Sequence, residues 1–355
     1  MSFTIGMIGR VAEGSALCDG QTVKTRVLED ELVRKYPDAR LLIADTYQYK
    51  KHFLRLFCKI EHCIRKSDVV FILLSRNGRR VIFPIVNALN LIYHKPILHD
   101  VIGGAFEYDL LENRRLGRYC RRFAVNWIES RSGVERLKAV GFQNVEYLPN
   151  FKRLSPVSLS ERDVCPGRIY RFCTFSRVRA EKGIGLAAQA ILDINREAGS
   201  CRATLDIYGP IEDGFEEELQ QYLDSSDGAV CYKGIVDFND SVSVLKHYDM
   251  LLFPTTFDGE GFPGTLIDAF SAGLPVIATD WHYNGEIISE GRTGFLYAPE
   301  ETHRLKELIG YSMDNPAMIG EMRWHCLEEV KQYDADAVME IIAQKIEAVV
   351  RTTEK

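Results

Sequence analysis

The sequence predicts an α/β protein of two domains, each built around a parallel, doubly wound sheet. Three observations predict this fold: strand-like apolar runs alternate with helical patterns, a polar linker divides them into two sets, and 355 residues exceed one typical domain. We expect a first domain at 1–155, a second at 165–330, and a C-terminal helix at 334–355 that crosses back onto the first. Two such domains facing each other would form a ligand-binding cleft at the carboxyl ends of their strands.

In the first half, short apolar runs bounded by polar residues predict the strands. They lie at 3–9, 40–44, 68–74, 96–102, 125–128 and 145–148. Apolar residues at helical spacing predict helices at 50–66 and 81–93. A glycine-containing loop joins the first strand to another helical pattern, and Gly20 can offer its backbone N–H group to a phosphate there.

A polar linker, at about 151–167, precedes the second alternating set. The strands of this set are predicted at 171–175, 203–208, 229–232, 250–253, 276–279 and 294–297. Helical patterns lie at 184–194 and 264–272, and a strong one at 334–350 forms the tail.

Composition indicates an ordinary globular protein, with 46% hydrophobic and 26% charged residues. No run approaches the roughly 18 apolar residues of a membrane span, and no signal-peptide pattern is present, so we expect a cytoplasmic protein. The nine cysteines are scattered, which is typical of reduced thiols. The spacing of Cys58, His62 and Cys63 fits no standard zinc pattern, and we expect no metal.

Charge is unevenly divided between the two halves. Residues 1–150 carry 24 Lys and Arg against 16 Asp and Glu, although the whole chain has a net charge of −6. A basic half joined to an acidic half suggests that the first half meets something anionic. Because no recognised nucleic-acid module accompanies this charge, we do not expect nucleic acid as the partner.

The loop 258–265 is the clearest candidate for a binding site. It is rich in glycine, it follows the predicted strand 250–253, and it ends at the start of the predicted helix 264–272. A helix N-terminus favours an anion, and the carboxylate of Glu260 lies beside it. The combination suits a phosphorylated, hydroxyl-rich ligand such as a nucleotide sugar. The alternative is an ordinary turn between a strand and a helix.

Two cations follow the strand 171–175, and they support the same interpretation. Arg177 and Lys182 lie between this strand and the next helical pattern. A planar guanidinium and a compact ammonium are complementary phosphate binders, so the pair suits a diphosphate. The alternative is two surface cations of little energetic consequence.

Together these stretches resemble the bacterial retaining glycosyltransferases of family 4, and in particular members that build capsular or exopolysaccharide units. The matching stretches are 176–184, 206–210, 248–254, 260–268, 272–280 and 291–296, with looser matches at 19–26 and 141–152. The resemblance covers nearly the whole chain. It implies the GT-B architecture of two Rossmann-like domains facing across a cleft.

The resemblance also implies roles for individual residues. Arg177, Lys182 and Glu260 are the implied catalytic residues, since the two cations hold the donor diphosphate and the carboxylate holds the sugar hydroxyls. The implied donor-binding residues are Gly20, Ile235, Val236, Gly261, Phe262, Pro263, Gly264, Thr265 and Asp268. Of these, Asp268 would hold the ribose, Gly20 the phosphate, and the main chain near Ile235 the base.

The chain departs from the family pattern at two positions. Asp268 stands where the family has a glutamate, and it is one methylene shorter. The family often has a histidine at the position that corresponds to Ile102, whereas His99 and Asp100 lie nearby but out of register. We treat His99 and Asp100 as acceptor-side candidates, with a histidine packed at a strand end as the alternative. Glu286 either lines the donor pocket or stabilises the start of a helix.

The helix 50–66 has an apolar face with basic residues mainly on its other faces. This pattern is typical of an interfacial helix beside anionic lipid headgroups. A helix docked on its sheet with a solvated basic face is the commoner alternative. The resemblance favours membrane contact, because polysaccharide assemblers often use polyprenyl-diphosphate-linked acceptors at the inner leaflet.

The function expected from the resemblance is hexosyl transfer, with retention and without a metal or other cofactor. The expected donor is a UDP- or GDP-linked sugar, and the expected acceptor is a sugar hydroxyl on a lipid-linked oligosaccharide in surface polysaccharide synthesis. A nucleotide-sugar epimerase, a phosphorylase and a non-catalytic nucleotide-sugar-binding subunit are the alternatives. An epimerase would need no acceptor, whereas a phosphorylase would need inorganic phosphate.

Overall fold

The structure, a computed structural model, describes residues 3–15, 19–48, 51–104, 106–158 and 169–353. Cys18, Lys50 and the part of the predicted linker from 159 lie outside the described residues. The chain divides into two compact units. Unit 1 contains Met1–Arg153 and Tyr333–Lys355, and unit 2 contains Leu154–Gln332.

Unit 1 is a parallel sheet with helices between its strands. Its strands are β1 (Thr4–Gly9), β2 (Arg40–Asp45), β3 (Val69–Leu73), β4 (Ile97–Asp100), β5 (Val125–Ile128) and β6 (Val145–Tyr147). Its helices are α1 (Gly20–Lys35), α2 (Phe53–Lys66), α3 (Arg76–Tyr93), α4 (Phe106–Glu112), α5 (Arg114–Cys120) and α6 (Arg131–Ala139). The strand order is β2-β1-β3-β4-β5-β6. Strands β3, β4 and β5 are buried along their whole length. Burial on both faces explains the continuous apolar sequence of β3, whereas β4 and β5 also carry the buried polar residues His99, Asp100 and Asn126.

Unit 2 repeats this architecture. Its strands are β7 (Tyr170–Phe175), β8 (Ala203–Tyr208), β9 (Val230–Gly234), β10 (Met250–Phe253), β11 (Val276–Thr279) and β12 (Gly294–Tyr297). The helices are α7 (Ile184–Ala198), α8 (Glu216–Ser225), α9 (Ser241–Leu245), α10 (Gly264–Ser271), α11 (Asn284–Ile287), α12 (His303–Asp314) and α13 (Pro316–Glu329). The order β12-β11-β10-β7-β8-β9 is that of a dinucleotide-binding Rossmann sheet. The predicted α/β class with two doubly wound sheets is therefore confirmed.

The predicted helix at 81–93 begins five residues earlier, at Arg76. Its first turn is polar and is anchored by Arg79, which donates to the carbonyl oxygens of Leu74 and Ile102, both at 3.0 Å. Apolar periodicity does not detect a turn that is held by a buried guanidinium. Helices α12 and α13 lie where no element was predicted.

The chain ends in helix α14 (Ala335–Thr353), whose apolar residues enter the core of unit 1. Val338, Ile342 and Ile346 pack there with residues of β1, β3 and β5. Within the described residues, no helix is long and apolar enough to cross a membrane.

Arg153 joins α14 to the rest of unit 1. Its guanidinium donates to Glu31 of α1 at 2.9 Å and to Asp336 of α14 at 2.9 Å. Glu31 is buried, with a second cation, Arg34, 3.5 Å away. The ion pair of Arg153 with Asp336 is exposed to solvent. Most of the stabilisation by Arg153 therefore comes from its contact with the buried Glu31.

We expect Arg153→Ala to lower the thermal unfolding midpoint by a few degrees. The variant leaves the buried Glu31 carboxylate with a weaker partner, at a cost of about 1–3 kcal/mol. Lys35→Ala is the matched control, because Lys35 also joins α1 to α14, through an exposed pair with Glu340. Equal midpoints for the two variants in differential scanning calorimetry would contradict this assignment.

Candidate functional site

The strand order of unit 2 brings two loops together. β7 and β10 are neighbours in the sheet, and the crossovers leave them in opposite directions, toward β8 and β11. Ligands of doubly wound sheets bind at such a point, beyond the carboxyl ends of the two strands. The loop after β7 carries Arg177 and Lys182, and the loop after β10 carries Glu260.

Lys182 and Glu260 form a buried ion pair between these two loops. The Lys182 ammonium donates to Glu260 Oε2, and the two residues are only 7% and 9% exposed. Burial lowers the pKa of Lys182, the Glu260 carboxylate opposes that effect, and the charges of Arg177 and Arg179 add to the lowering. The ion pair therefore places one carboxylate and one cation at the predicted donor site.

Gly183 explains how the loops come so close. It has a φ of +69°, and a Cβ there would lie 2.3 Å from the carbonyl oxygen of Pro254. The main chain adds a direct link, since the N–H group of Thr256 donates to the carbonyl oxygen of Glu181 at 2.8 Å. A side chain at 183 would push the two loops apart.

Three cations surround the ring of Phe257. The guanidinium carbons of Arg177 and Arg179 lie 5.1 and 4.9 Å from the ring centroid, and the ammonium of Lys182 lies 5.2 Å away. Both arginines also pair with Glu212, at 2.6 and 2.8 Å. Cation–π contacts and one shared carboxylate thus hold two arginines beside Lys182 without a bound anion.

The predicted donor loop leads into helix α10. Pro263 is the N-cap residue, and Gly264 is the exposed first residue of the helix. The Thr265 hydroxyl donates to the carbonyl oxygen of Phe175 at 2.9 Å, which fixes the helix start against the end of β7. Phe262 is buried, as is Asp268 one turn into the helix. Gly261 is half-buried.

The remaining candidates of unit 2 lie on other loops. Ile235 follows β9 and is 71% exposed, and Val236 is half-buried. Glu286 is exposed in the first turn of α11. Among the described residues, no group of three or more His, Cys, Asp or Glu side chains is arranged to hold a metal ion.

In unit 1, Asp100 belongs to a buried charged cluster. Lys24 of α1, about one turn after the exposed Gly20, lies 2.7 Å from Asp100 and 2.8 Å from Glu129. Burial raises the pKa of Asp100 to about 6, although Lys24 opposes the rise. Burial alone would lower the pKa of Lys24, but the two carboxylates outweigh it and the net direction is upward.

His99 lies in the core of unit 1, between the rings of Phe83, Phe106 and Phe123. Its Nδ1 is 3.0 Å from Asn126 Oδ1, and its buried Nε2 has no hydrogen-bond partner among the described residues. Burial lowers its pKa to about 3, so the ring is neutral at physiological pH. These surroundings match the alternative of a histidine packed at a strand end.

The sequence did not single out several residues of the two clusters described above. They are Arg179, Glu212, Thr255 and Phe257 in the cluster of unit 2, and Lys24 and Glu129 in the cluster of unit 1. Arg179 lies inside the matching stretch 176–184, so its residue type was an available signal, whereas Phe257 lies between two matching stretches. Glu212 and Glu129 reach the sites only through contacts between distant parts of the chain.

Comparison with known proteins finds a family model that matches part of the second unit. Residues 170–315 match the family Glycosyl transferases group 1. The matched segment includes Arg177, Lys182 and the loop around Glu260.

Characterised proteins that resemble this chain are distant in sequence. The chain is 26% identical over 185 residues to the GtfA subunit of the UDP-N-acetylglucosamine–peptide N-acetylglucosaminyltransferase of Streptococcus gordonii, covering 52% of this chain and 35% of that protein. It is 29% identical over 137 residues to the amylovoran biosynthesis glycosyltransferase AmsK of Erwinia amylovora, covering 37% and 32%. The chain therefore spans about a third of the length of these relatives.

Solved structures confirm the GT-B fold over the whole chain. Anabaena Alr3699/HepE, solved in complex with UDP-glucose, matches with a TM-score of 0.73 at 15% identity, covering 98% of this chain and 100% of that one. The lipopolysaccharide outer core galactosyltransferase WaaB, in its apo form, matches with a TM-score of 0.66 at 15% identity, covering 97% and 99%. At this identity the likeness concerns the fold.

The buried His99 predicts how stability depends on pH. Its folded pKa of about 3 lies below the ordinary 6.5, so unfolding takes up a proton, and stability falls as the pH drops from 6.5 toward 3. Asp100 has the opposite effect on stability. Its folded pKa of about 6 lies above the ordinary 3.8, so it adds to the free energy of unfolding as the pH falls from about 6 to 3.8. The free energy of unfolding of the wild-type protein should therefore fall with decreasing pH. We expect His99→Gln to reduce the slope of this fall by up to about 1.4 kcal/mol per pH unit.

Urea denaturation between pH 4.5 and 8 measures this difference. The exposed His303, changed to Gln, is the control and should retain the slope of the wild-type protein. A His99→Gln protein with the wild-type slope would show that His99 is not held neutral in the folded state.

Proposed function

We propose that this protein transfers a hexosyl group from a UDP- or GDP-linked sugar to a sugar hydroxyl. The observation that carries the proposal is the ion pair of Lys182 and Glu260 at the carboxyl ends of β7 and β10, with Arg177 and Arg179 beside it. A phosphate-binding set and a hydroxyl-binding carboxylate meet there, inside a domain matched by a glycosyltransferase family. A nucleotide sugar presents both complementary groups at its glycosyl–phosphate bond.

The cations account for the chemical step. When the bond from the anomeric carbon to the diphosphate oxygen breaks, the electron pair leaves with the diphosphate, and negative charge builds there. Preorganised cations stabilise that charge more than they stabilise the bound donor. Lys182 has three N–H groups and gives one to Glu260, so the others can reach the diphosphate. The acceptor hydroxyl oxygen forms the new bond to the anomeric carbon, and its proton passes to the departing diphosphate oxygen, which carries the electron pair of the broken bond.

The other candidates complete the donor site in this proposal. Glu260 and the backbone of 261–265 hold the sugar, and Asp268 holds the ribose. Ile235 and Val236 lie against the base, and Gly20 closes on the phosphate. Glu286 lines the donor pocket, and Asp100 acts on the acceptor side. Retention and independence from a metal follow from the resemblance to family 4.

We expect Lys182→Ala to reduce turnover by about 100- to 1000-fold, since it removes one preorganised charge from the developing anion. The measurement is release of UDP or GDP from a panel of nucleotide sugars, with simple sugars as acceptors. Lys331→Ala is the matched control, because Lys331 is exposed and pairs only with its neighbour Glu328 among the described residues. It should retain wild-type turnover.

The same assay separates the alternative functions. An epimerase converts the donor without an acceptor and releases no nucleotide. A non-catalytic subunit shows a donor-induced rise in melting temperature without any turnover. Either result with the wild-type protein would overturn the proposed transfer reaction.

The acceptor in this proposal is lipid-linked, and helix α2 brings the protein to the inner leaflet of the membrane. Phe53, Leu54 and Phe57 are 42%, 80% and 39% exposed on this helix. Leu56, Ile60 and Ile64 are buried and pack in the core of unit 1. Exposed apolar side chains at one end of a basic helix favour an anionic lipid surface.

The cations of α2 fit the same partner. Arg55 and Lys59 form no ion pair with any residue in the described ranges. They line an open groove of about 380 Å³ between α2 and the edge strand β2, whose floor includes Leu42 and Ile43. Apolar side chains beside unpaired cations are complementary to lipid phosphates above their acyl chains.

We expect Leu54→Ser to reduce binding to vesicles of phosphatidylglycerol and phosphatidylcholine at least several-fold in a flotation assay, since it removes the most exposed apolar side chain of α2. Leu91→Ser is the matched control, because Leu91 is a leucine 59% exposed on a different helix, α3. Equal binding by the two variants, or wild-type binding to phosphatidylcholine alone, would contradict docking through α2.

A further inference from the structure

A buried polar chain lies beneath the Glu260 loop. Its members are Thr255, which follows β10, Thr279, which ends β11, and Asn284, which begins α11. Each is at most 1% exposed. Buried hydroxyl and amide groups are costly unless they form hydrogen bonds, so their partners indicate what the chain holds in place.

The hydrogen bonds run from α11 toward the site. Asn284 Nδ2 donates to the carbonyl oxygen of Thr279 at 3.0 Å, and the Thr279 hydroxyl donates to the carbonyl oxygen of Thr255. The Thr255 hydroxyl in turn donates to Glu260 Oε2 at 2.9 Å. The backbone N–H of Phe257 donates to the same hydroxyl at 3.3 Å. The hydroxyl has a single hydrogen and two acceptors, Glu260 Oε2 at 2.9 Å and the carbonyl oxygen of Glu181 at 3.4 Å, and the shorter contact directs the hydrogen to the carboxylate.

These contacts leave the two oxygens of Glu260 unequal. Lys182 and Thr255 both donate to Oε2, and no residue in the described ranges donates to Oε1. A glutamate has three side-chain torsions, and a single ion pair would not fix the rotation of its carboxylate. Two donors on one oxygen, arriving from different loops, do fix it. Oε1 is the oxygen that remains for a ligand hydroxyl.

We propose that Thr255 is a positioning residue, which orients Glu260 so that Oε1 accepts a hydroxyl of the donor sugar. Thr279 and Asn284 support it by fixing the main chain at Thr255. The inference rests on the proposed function, because it takes Glu260 as the sugar-binding carboxylate. The inference adds how this carboxylate is held in place. It also predicts that recognition of the sugar depends on Thr255, a residue that would not contact the nucleotide.

The test compares a nucleotide sugar with its bare nucleotide. Thr255→Val keeps the shape and removes the hydroxyl, whereas Thr255→Ser keeps the hydroxyl. Titration calorimetry with UDP-glucose, UDP-galactose, UDP-N-acetylglucosamine and GDP-mannose, each against UDP or GDP, measures both affinities. Thr256→Val is the matched control, because its side chain is the exposed neighbour on the same loop.

We expect Thr255→Val to weaken binding of the nucleotide sugar about ten-fold, the value of one hydrogen bond, while the bare nucleotide changes by less than about two-fold. Thr255→Ser should restore binding, and Thr256→Val should behave as the wild-type protein. In a Glu260→Gln background, Thr255→Val should add little, because the two residues act as one unit.

The outcomes separate the two proposals. If the wild-type protein binds no nucleotide sugar, the proposed function fails and this inference fails with it. If it binds one, and Thr255→Val weakens sugar and bare nucleotide equally, Thr255 serves only the loop structure. Unchanged binding of both ligands, or full additivity with Glu260→Gln, also overturns the positioning role.

Discussion

The site depends on one costly interaction, the ion pair of Lys182 and Glu260 between two loops. Taking both charges out of water costs several kcal/mol per ion, and their attraction repays this only with good geometry and further hydrogen bonds. Thr255 supplies one such bond, and Gly183 permits the approach. A pair of apolar residues would join the loops at lower cost. The pair is therefore better explained by what its atoms can bind than by stability.

The fold was predictable from the sequence because its signals are local. Apolar runs such as 250–253 and 276–279 are buried on both faces of a sheet, so they read as strands without knowledge of their neighbours. Strand order is different, since it depends on which strands pair. The neighbouring positions of β7 and β10 follow from that order, and they turn Lys182 and Glu260, 78 residues apart in sequence, into a contact.

The limits of the sequence are clearest at His99 and Phe257. His99 has the residue type of a catalytic base and lies near the end of a strand, yet three aromatic rings from other elements enclose it. Phe257 has the residue type of a core residue, yet three cations gather around it. In both cases distant segments supply surroundings that the residue type does not indicate. The contact between Lys182 and Glu260 likewise depends on strand order, although the position of each residue after a strand was visible in the sequence.

Charge balance explains how such a site can accept a diphosphate. Three cations face three carboxylates, Glu181, Glu212 and Glu260, so an arriving anion must compete for partners that are already paired. The pairs of Arg177 and Arg179 are partly exposed, and exposed pairs contribute little, so these side chains can exchange a carboxylate for a phosphate at small cost. Separation of Lys182 from Glu260 would cost more free energy, because the buried carboxylate would lose its cationic partner. It is better suited to bridge the carboxylate and the diphosphate, with its remaining N–H groups directed to the new anion. In the proposed function, the partly exposed arginines then supply adaptable charge, and the buried lysine links phosphate binding to the carboxylate that is proposed to bind the sugar.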